Sequence, residues 1–160
     1  MVDCCMALPV AAKKQTTGLV CPQCGGLGKP VSRITVEVLL KPEFRERADG
    51  APYGFCETPG CPVVYFARDG VQFTKDHIRV RVALKEKEDP ILVCYCFGIT
   101  EQMIREEVRQ TGLSTASTRI RAEVKAGACR CEVENPSGRC CLAEVAQAEK
   151  RAVLEEEGQR

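Results

Sequence analysis

Cysteine content constrains this chain more than any other feature of its sequence. Twelve cysteines occur in 160 residues, and ten of them lie in closely spaced groups between residues 21 and 141. No basic segment precedes the longest apolar run, residues 6–12, and that run is too short to cross a bilayer. We therefore expect a cytoplasmic protein without a membrane span, whose reduced thiols bind metal; a disulfide framework is the alternative.

The charge balance argues against one class of partner. The chain has 23 Lys and Arg residues against 22 Asp and Glu residues, and only eight aromatic residues. A nucleic-acid-binding protein normally presents a basic patch and aromatic side chains that stack on bases. We therefore expect no nucleic-acid partner.

The first two cysteine pairs have the spacing of zinc knuckles. Two residues separate Cys21 from Cys24, and four separate Cys56 from Cys61, with proline and glycine at the turns. A thioredoxin-like pair or a copper-binding loop would be followed by a helix, but the glycines and Pro30 after Cys24 disfavour one. We predict that these four thiolates bind one structural zinc ion, which stabilises a module with a small core.

Alternating β-branched segments predict strands around this zinc site. The sequence predicts a strand over residues 34–40, with Ile34, Val36, Val38 and Leu40 facing inward, and further strands over residues 63–66, 71–75 and 78–84. His77 is predicted to be a solvated turn residue. Basic residues could line one sheet face and dock an acidic partner, although most such faces are simply solvated: Arg33, Arg79, Arg81, Lys85 and Lys87.

Cys94 and Cys96 lie just before one predicted helix start, and Cys140 and Cys141 lie at another. Thr100 is a suitable N-cap for a helix from about Glu101 to Thr111, ended by Gly112, and a second helix is expected between about Ser117 and Gly127. A third helix is expected from Cys141 or Leu142 to Gly158. Helix N-termini favour anionic groups, so an all-thiolate iron–sulfur site is predicted, with a second four-cysteine zinc site as the alternative.

These patterns together predict an α+β fold. We expect a flexible arm over residues 1–20, a small zinc-ribbon-like antiparallel β module over residues 21–89, and a small helical [2Fe–2S]-binding module over residues 90–158. Cys4 and Cys5 in the arm are either a weak soft-metal site or two accidental thiols.

Two resemblances follow from these motifs. Cys-Tyr-Cys-Phe-Gly-Ile-Thr at 94–100, followed by a helix, a second helix and a cysteine-led third helix, resembles the [2Fe–2S] domain of bacterioferritin-associated ferredoxins. About residues 20–145 resemble the N-terminal half of CopZ-type iron–sulfur copper chaperones. That longer resemblance is carried by Cys-Pro-Gln-Cys at 21–24, Cys-Pro-Val-Val-Tyr-Phe at 61–66, Cys-Tyr-Cys at 94–96 and Cys-Glu-Val-Glu-Asn-Pro-Ser-Gly-Arg-Cys-Cys at 131–141.

The CopZ-type resemblance implies particular ligands. It implies a zinc site of Cys21, Cys24, Cys56 and Cys61, and a [2Fe–2S] site of Cys94, Cys96, Cys131 and Cys141, the last favoured over Cys140. Cys129 has no counterpart in the family pattern.

The same resemblance implies a function. It implies a metallochaperone-type protein of copper homeostasis, not a turnover enzyme, whose cluster transfers electrons, for example to reduce Cu(II) to Cu(I), and which binds Cu(I) transiently. The implied partner is a copper chaperone domain or copper-transporting ATPase in trans, or a redox enzyme. Because the chain has no Met-x-Cys-x-x-Cys motif, we expect the copper-carrying half to be absent or to act separately. The alternatives are a small ferredoxin-like electron carrier and a two-zinc binding module.

Overall fold

The computed structural model of the protein describes residues 18–48 and 52–159, and most of the predicted arm, including Cys4 and Cys5, lies outside them. The described chain begins with a four-stranded antiparallel sheet in spatial order β1-β2-β3-β4. The strands are β1 (Lys29–Val31), β2 (Tyr53–Phe55), β3 (Val63–Ala67) and β4 (Gln72–Thr74). The predicted strand over residues 63–66 and its return over residues 71–75 are therefore confirmed.

Strand β3 separates the zinc knuckles from the main core of the first module. All five of its residues are buried, as its uninterrupted apolar sequence suggests. Val63 and Phe66 pack with the knuckle cysteines, whereas Val64 and Tyr65 pack with the remaining core residues of the sheet. One strand therefore contributes to two small cores.

The predicted strand over residues 34–40 is wrong, because this segment forms helix α1 (Arg33–Leu39). The Ser32 hydroxyl accepts the Thr35 N–H at 3.3 Å and caps the helix, and Arg33 pairs with Glu37 one turn later at 2.6 Å. Residues 36, 39 and 40 are buried, which is helical spacing, while Ile34, predicted to face inward, is 51% exposed. Capping and burial on one helical face outweigh the β propensity of the sequence.

The predicted strand over residues 78–84 is also wrong. Ile78 makes a single bridge to Leu40, and the chain then runs irregularly into a short 3-10 helix at Ala83–Lys85. The basic sheet face consequently does not form. Lys85 is buried and donates to the Thr58 carbonyl at 2.8 Å, and Arg79 donates to the Val38 carbonyl at 2.8 Å.

His77 is partly buried rather than a solvated turn residue. Its Nδ1 accepts the Thr74 N–H at 2.9 Å, and its ring lies edge-on against Phe44 with centroids 4.5 Å apart. These contacts close the turn after β4, and burial lowers the pKa of the imidazole.

The second module consists of a short hairpin and four helices. The hairpin strands are β5 (Leu92–Cys94) and β6 (Ile99–Thr100), and the helices are α2 (Glu101–Thr111), α3 (Ala116–Lys125), α4 (Cys131–Glu134) and α5 (Leu142–Gly158). Thr100 caps α2 by accepting the Met103 N–H at 3.2 Å, and Gly112 ends it with a φ of 85°. The α2, α3 and α5 predictions are confirmed, and the hairpin and α4 were not predicted. No helix in the described ranges is long and apolar enough to cross a membrane.

Candidate metal centres

The four knuckle cysteines meet in one compact group. The Sγ atoms of Cys21, Cys24, Cys56 and Cys61 all lie within 4.8 Å of one another. Cys21 and Cys61 are 3.8 Å apart, and Cys24 and Cys56 are 3.7 Å apart. Two sulfurs bound to one tetrahedral zinc, with bonds of about 2.3 Å, are separated by about 3.8 Å. The arrangement therefore fits a four-thiolate zinc ion.

Two of the four thiols, Cys24 and Cys61, differ in solvent exposure and in pKa. The Thr58 hydroxyl lies 3.3 Å from Cys24 Sγ and, together with the Gly26 N–H, lowers the pKa of this exposed thiol to about 6. Burial raises the pKa of Cys61 to about 12. Cys24 therefore forms the thiolate, which is the metal-binding form, more readily than Cys61 does.

A second group of thiols lies in the helical module. Cys94, Cys131 and Cys141 are each at most 1% exposed, whereas Cys96 is partly exposed. Cys96 Sγ is 3.6 Å from Cys131 Sγ, and the Cys141 thiol contacts the thiols of Cys94 and Cys131. Unlike the knuckle cysteines, these four do not all lie within 4.8 Å of one another in the described part of the chain. The pocket is therefore wider than a site for one ion.

Comparison with known proteins identifies the family of the chain. Residues 18–79 match the protein family zf_CopZ, described as a zinc binding domain. The chain is 39% identical over 123 residues to the copper chaperone CopZ of Archaeoglobus fulgidus, an alignment that covers 76% of this chain and 57% of that protein. The X-ray structure of the N-terminal domain of the same CopZ superposes with a TM-score of 0.67 and 35% identity, over 81% of this chain and 96% of that domain.

The chain belongs to the CopZ N-terminal domain family. The α+β fold predicted from the sequence is confirmed by this match. The chain spans little more than half the length of the copper chaperone it matches. The family match covers residues 18–79, and the superposition on the CopZ N-terminal domain covers 81% of the chain.

Two backbone N–H groups approach the sulfurs of the second pocket in this CopZ-family chain. The Arg130 N–H donates to Cys96 Sγ at 3.2 Å, and the Phe97 N–H hydrogen-bonds to Cys94. Both donors come from loops rather than from the first turn of α2, whose Met103 N–H is taken by Thr100. Cys141 is the N-cap residue of α5. The expected position at a helix start therefore holds for Cys141, while Cys94 and Cys96 lie in the β5–β6 hairpin.

Contact between Cys94 and Cys141 shifts the pKa values of the two thiols in opposite directions. The hydrogen bond from Cys141 lowers the pKa of Cys94. Hydrogen bonding with Cys131 lowers the pKa of Cys141, but contact with Cys94 and burial outweigh it and raise that pKa overall.

The two surplus thiols of the pocket occupy different positions. Cys129, which sequence reasoning left unassigned, has its Sγ 3.2 Å from that of Cys131, and it forms with Cys96 and Cys131 a set of thiols within 4.8 Å of one another. Cys140 is partly exposed and belongs to neither compact group, whereas its neighbour Cys141 points into the pocket. The Cys-x-Cys spacing at 129–131 is the only sequence signal for the position of Cys129.

The segment carrying Cys131 and Cys141 is held by side chains of the zinc-binding module. The Thr35 hydroxyl donates to the Glu132 carbonyl at 2.6 Å, and the Tyr65 hydroxyl donates to the Pro136 carbonyl. Helix α4 ends at Glu134, and Pro136, which would be the donor to the Glu132 carbonyl in a longer helix, has no N–H. Thr35 supplies the missing donor from the other side of the predicted 89/90 boundary, which itself stays a prediction.

Gly138 allows this approach. Its φ is 69°, and a Cβ atom at this position would lie 2.9 Å from Thr35 Oγ1. The Asn-Pro-Ser-Gly turn therefore lies directly against α1, and the two modules share a hydrogen-bonded interface next to the helix that begins at Cys131.

Proposed function

We propose that this protein acts in copper homeostasis as a metallochaperone-type protein with one zinc ion and one [2Fe–2S] cluster. The zinc ligands are Cys21, Cys24, Cys56 and Cys61, and the cluster ligands are Cys94, Cys96, Cys131 and Cys141. The observation that carries the proposal is the second, wider pocket of buried thiols, in a chain similar to a protein named copper chaperone CopZ.

The donor set of this pocket supports a cluster rather than a second zinc ion. All four side chains are thiols, which is the ligand set of [2Fe–2S] centres in ferredoxins. A single zinc ion requires all four sulfurs at the corners of one small tetrahedron, as the knuckle cysteines provide. The second set is more spread out, as two metal atoms with two protein ligands each would require.

The residues around the pocket would have different roles in electron transfer. When bound, the cluster supplies one-electron transfer, the chemistry that converts the substrate Cu(II) to Cu(I). Cys94, Cys131 and Cys141 are buried and shield their side of the pocket from water, whereas Cys96 is partly exposed. The N–H groups of Arg130 and Phe97 stabilise negative charge on the sulfurs of Cys96 and Cys94. Electrons would therefore leave at the Cys96 edge.

The first experiment measures the metals. Protein purified anaerobically is analysed for zinc and iron and by visible absorption and EPR before and after dithionite. We expect one zinc and two irons per chain, visible absorption that bleaches on reduction, and an EPR signal in the reduced state. Two zincs and no visible absorption would instead establish the two-zinc module.

A second experiment tests the copper step. Dithionite-reduced, desalted protein is mixed anaerobically with Cu(II) and a coloured Cu(I) chelator, and we expect Cu(I) to form as the cluster is reoxidised. The matched control is the same protein with its cluster left oxidised, which has the same bound thiolates but no electron to donate. A reduced cluster that transfers electrons to a redox protein but leaves Cu(II) unchanged would identify the protein as an electron carrier instead.

A further inference from the structure

Cys96 lies beside two thiols that are two residues apart in the chain. The Sγ atoms of Cys96 and Cys131 are 3.6 Å apart, those of Cys129 and Cys131 are 3.2 Å apart, and all three lie within 4.8 Å of one another. Cys131 begins α4 and is buried, whereas Cys129 is partly exposed in the loop before it. The pocket therefore offers two sulfurs where a fourth ligand beside Cys96 is needed.

We propose that Cys129 is an alternative ligand that replaces Cys131 as the partner of Cys96. This inference rests on the proposed function, since it requires the pocket to hold a [2Fe–2S] cluster. It adds a fifth ligand-competent residue, and with it two alternative ligand sets that share Cys94, Cys96 and Cys141.

Distances make the exchange feasible. Two thiolates on one tetrahedral metal are about 3.8 Å apart, and Cys129 Sγ is already within 4.8 Å of Cys96 Sγ. A movement of about 1 Å therefore brings Cys129 to ligand distance, which is within the range of a side-chain rotation. Residues 128–130 have no regular secondary structure, and Gly127 just before them has a φ of 77°.

The exchange is balanced in charge and in electrons. The iron–sulfur bond to Cys131 breaks and a bond to Cys129 forms, while Cys129 releases its thiol proton and Cys131 takes one up. No oxidation state changes. The Arg130 N–H, between the two cysteines, donates to Cys96 at 3.2 Å, so either neighbour of Arg130 is held next to the same sulfur.

Cys94 provides the matched control. Cys94 contacts the thiol of Cys141, an assigned ligand, and in the described part of the chain it belongs to no group of three thiols within 4.8 Å of one another. Cys129 lies beside Cys131 and Cys96, so it is the nearby substitute for Cys131 and not for Cys94.

The test compares Cys131→Ala, Cys129→Ala, the double variant and Cys94→Ala in anaerobically prepared full-length protein. We expect Cys131→Ala to retain at least about half of the wild-type iron, with an altered visible circular dichroism spectrum, because one thiolate of four is exchanged. Cys129→Ala should match the wild type, and the double variant and Cys94→Ala should lose the cluster. Zinc content and far-ultraviolet circular dichroism report whether each variant is folded, and Cys131→Ser provides a second, isosteric replacement.

Alkylation gives an independent readout of which thiol is bound. Iodoacetamide followed by mass spectrometry should label Cys129 in the wild type and leave it protected in Cys131→Ala. If folded Cys131→Ala and Cys131→Ser lose iron as completely as Cys94→Ala, and Cys129 is labelled in them, the inference is wrong while the proposed function stands. A wild type without iron overturns the proposed function itself.

Discussion

Thr35→Val removes one hydroxyl from the interface between the two modules while preserving the shape of the side chain. Thr35 is fully buried, and its hydroxyl donates to the Glu132 carbonyl, which has no donor from Pro136 beyond the end of α4. Losing this part-buried hydrogen bond costs about 0.5–1.5 kcal/mol. For a chain of this size, about 3 °C of melting temperature corresponds to 1 kcal/mol, so we expect a decrease of about 2–5 °C.

The assay is thermal unfolding of metal-loaded protein followed by circular dichroism. Thr111→Val is the matched control, because Thr111 donates to the Glu107 carbonyl on an exposed surface of α2, where water can replace it. That variant should stay within about 0.5 kcal/mol of the wild type. The visible absorbance of Thr35→Val should also decay faster in air, since α4 carries Cys131.

Equal melting temperatures for Thr35→Val and Thr111→Val, both within about 1 °C of the wild type, would refute the reasoning. The Glu132 carbonyl would then have a donor other than Thr35, and the interface would not depend on this hydrogen bond.

Three further changes test other parts of the structure. Gly138→Ala should lower the free energy of unfolding, measured by urea titration, by about 1–3 kcal/mol, because the φ of Gly138 is 69° and a Cβ there would crowd Thr35. Adding Thr35→Ala should relieve part of this loss, and strictly additive losses in the double variant would contradict the contact. After zinc removal at pH 7, iodoacetamide should label Cys24, with a pKa of about 6, before Cys61, with a pKa of about 12. Thr58→Val should slow the labelling of Cys24, and equal Cys24 rates in the variant and the wild type would show that Thr58 does not lower this pKa. Hydrogen bonds from Thr115 lower the pKa of Glu107, so its carboxylate stabilises the fold fully above the unfolded pKa and loses this effect as pH falls through the folded pKa. Glu107→Gln should therefore cost about 1–2 kcal/mol at pH 7, and an unchanged urea midpoint there would argue against this role.

The elements that could be predicted from sequence are those in which capping and periodicity agree. Helix α2 has a Thr100 N-cap, a buried Ile104–Val108 stripe and Gly112 at its end, and each signal indicates the same structure. In α1 the signals conflict: β-branched alternation predicts a strand, while Ser32 and the Arg33–Glu37 spacing indicate a helix. In the folded chain the Ser32 cap and the Arg33–Glu37 pair outweigh the β-branched alternation.

Ligand spacing was informative for the knuckles but not for the surplus thiols. Knuckle cysteines are close in sequence, so the chain itself brings each pair together. The place of Cys129 beside Cys96 depends on how a loop folds back over a hairpin 34 residues away. Spacing contains no information about that distance, and the β5–β6 hairpin itself, with its turn at Gly98, was not predicted.

The hydrogen bonds between the two modules have a consequence for the order in which the chain folds. Ribosomes deliver the N-terminal part of a protein first, and folded units form in that order. The donors Thr35, Tyr65 and Arg79 are all synthesised before the carbonyls of residues 132, 133 and 136 that accept from them. The later segment therefore emerges next to residues that have already been made, and the turn between Cys131 and Cys141 is shaped by contact with them.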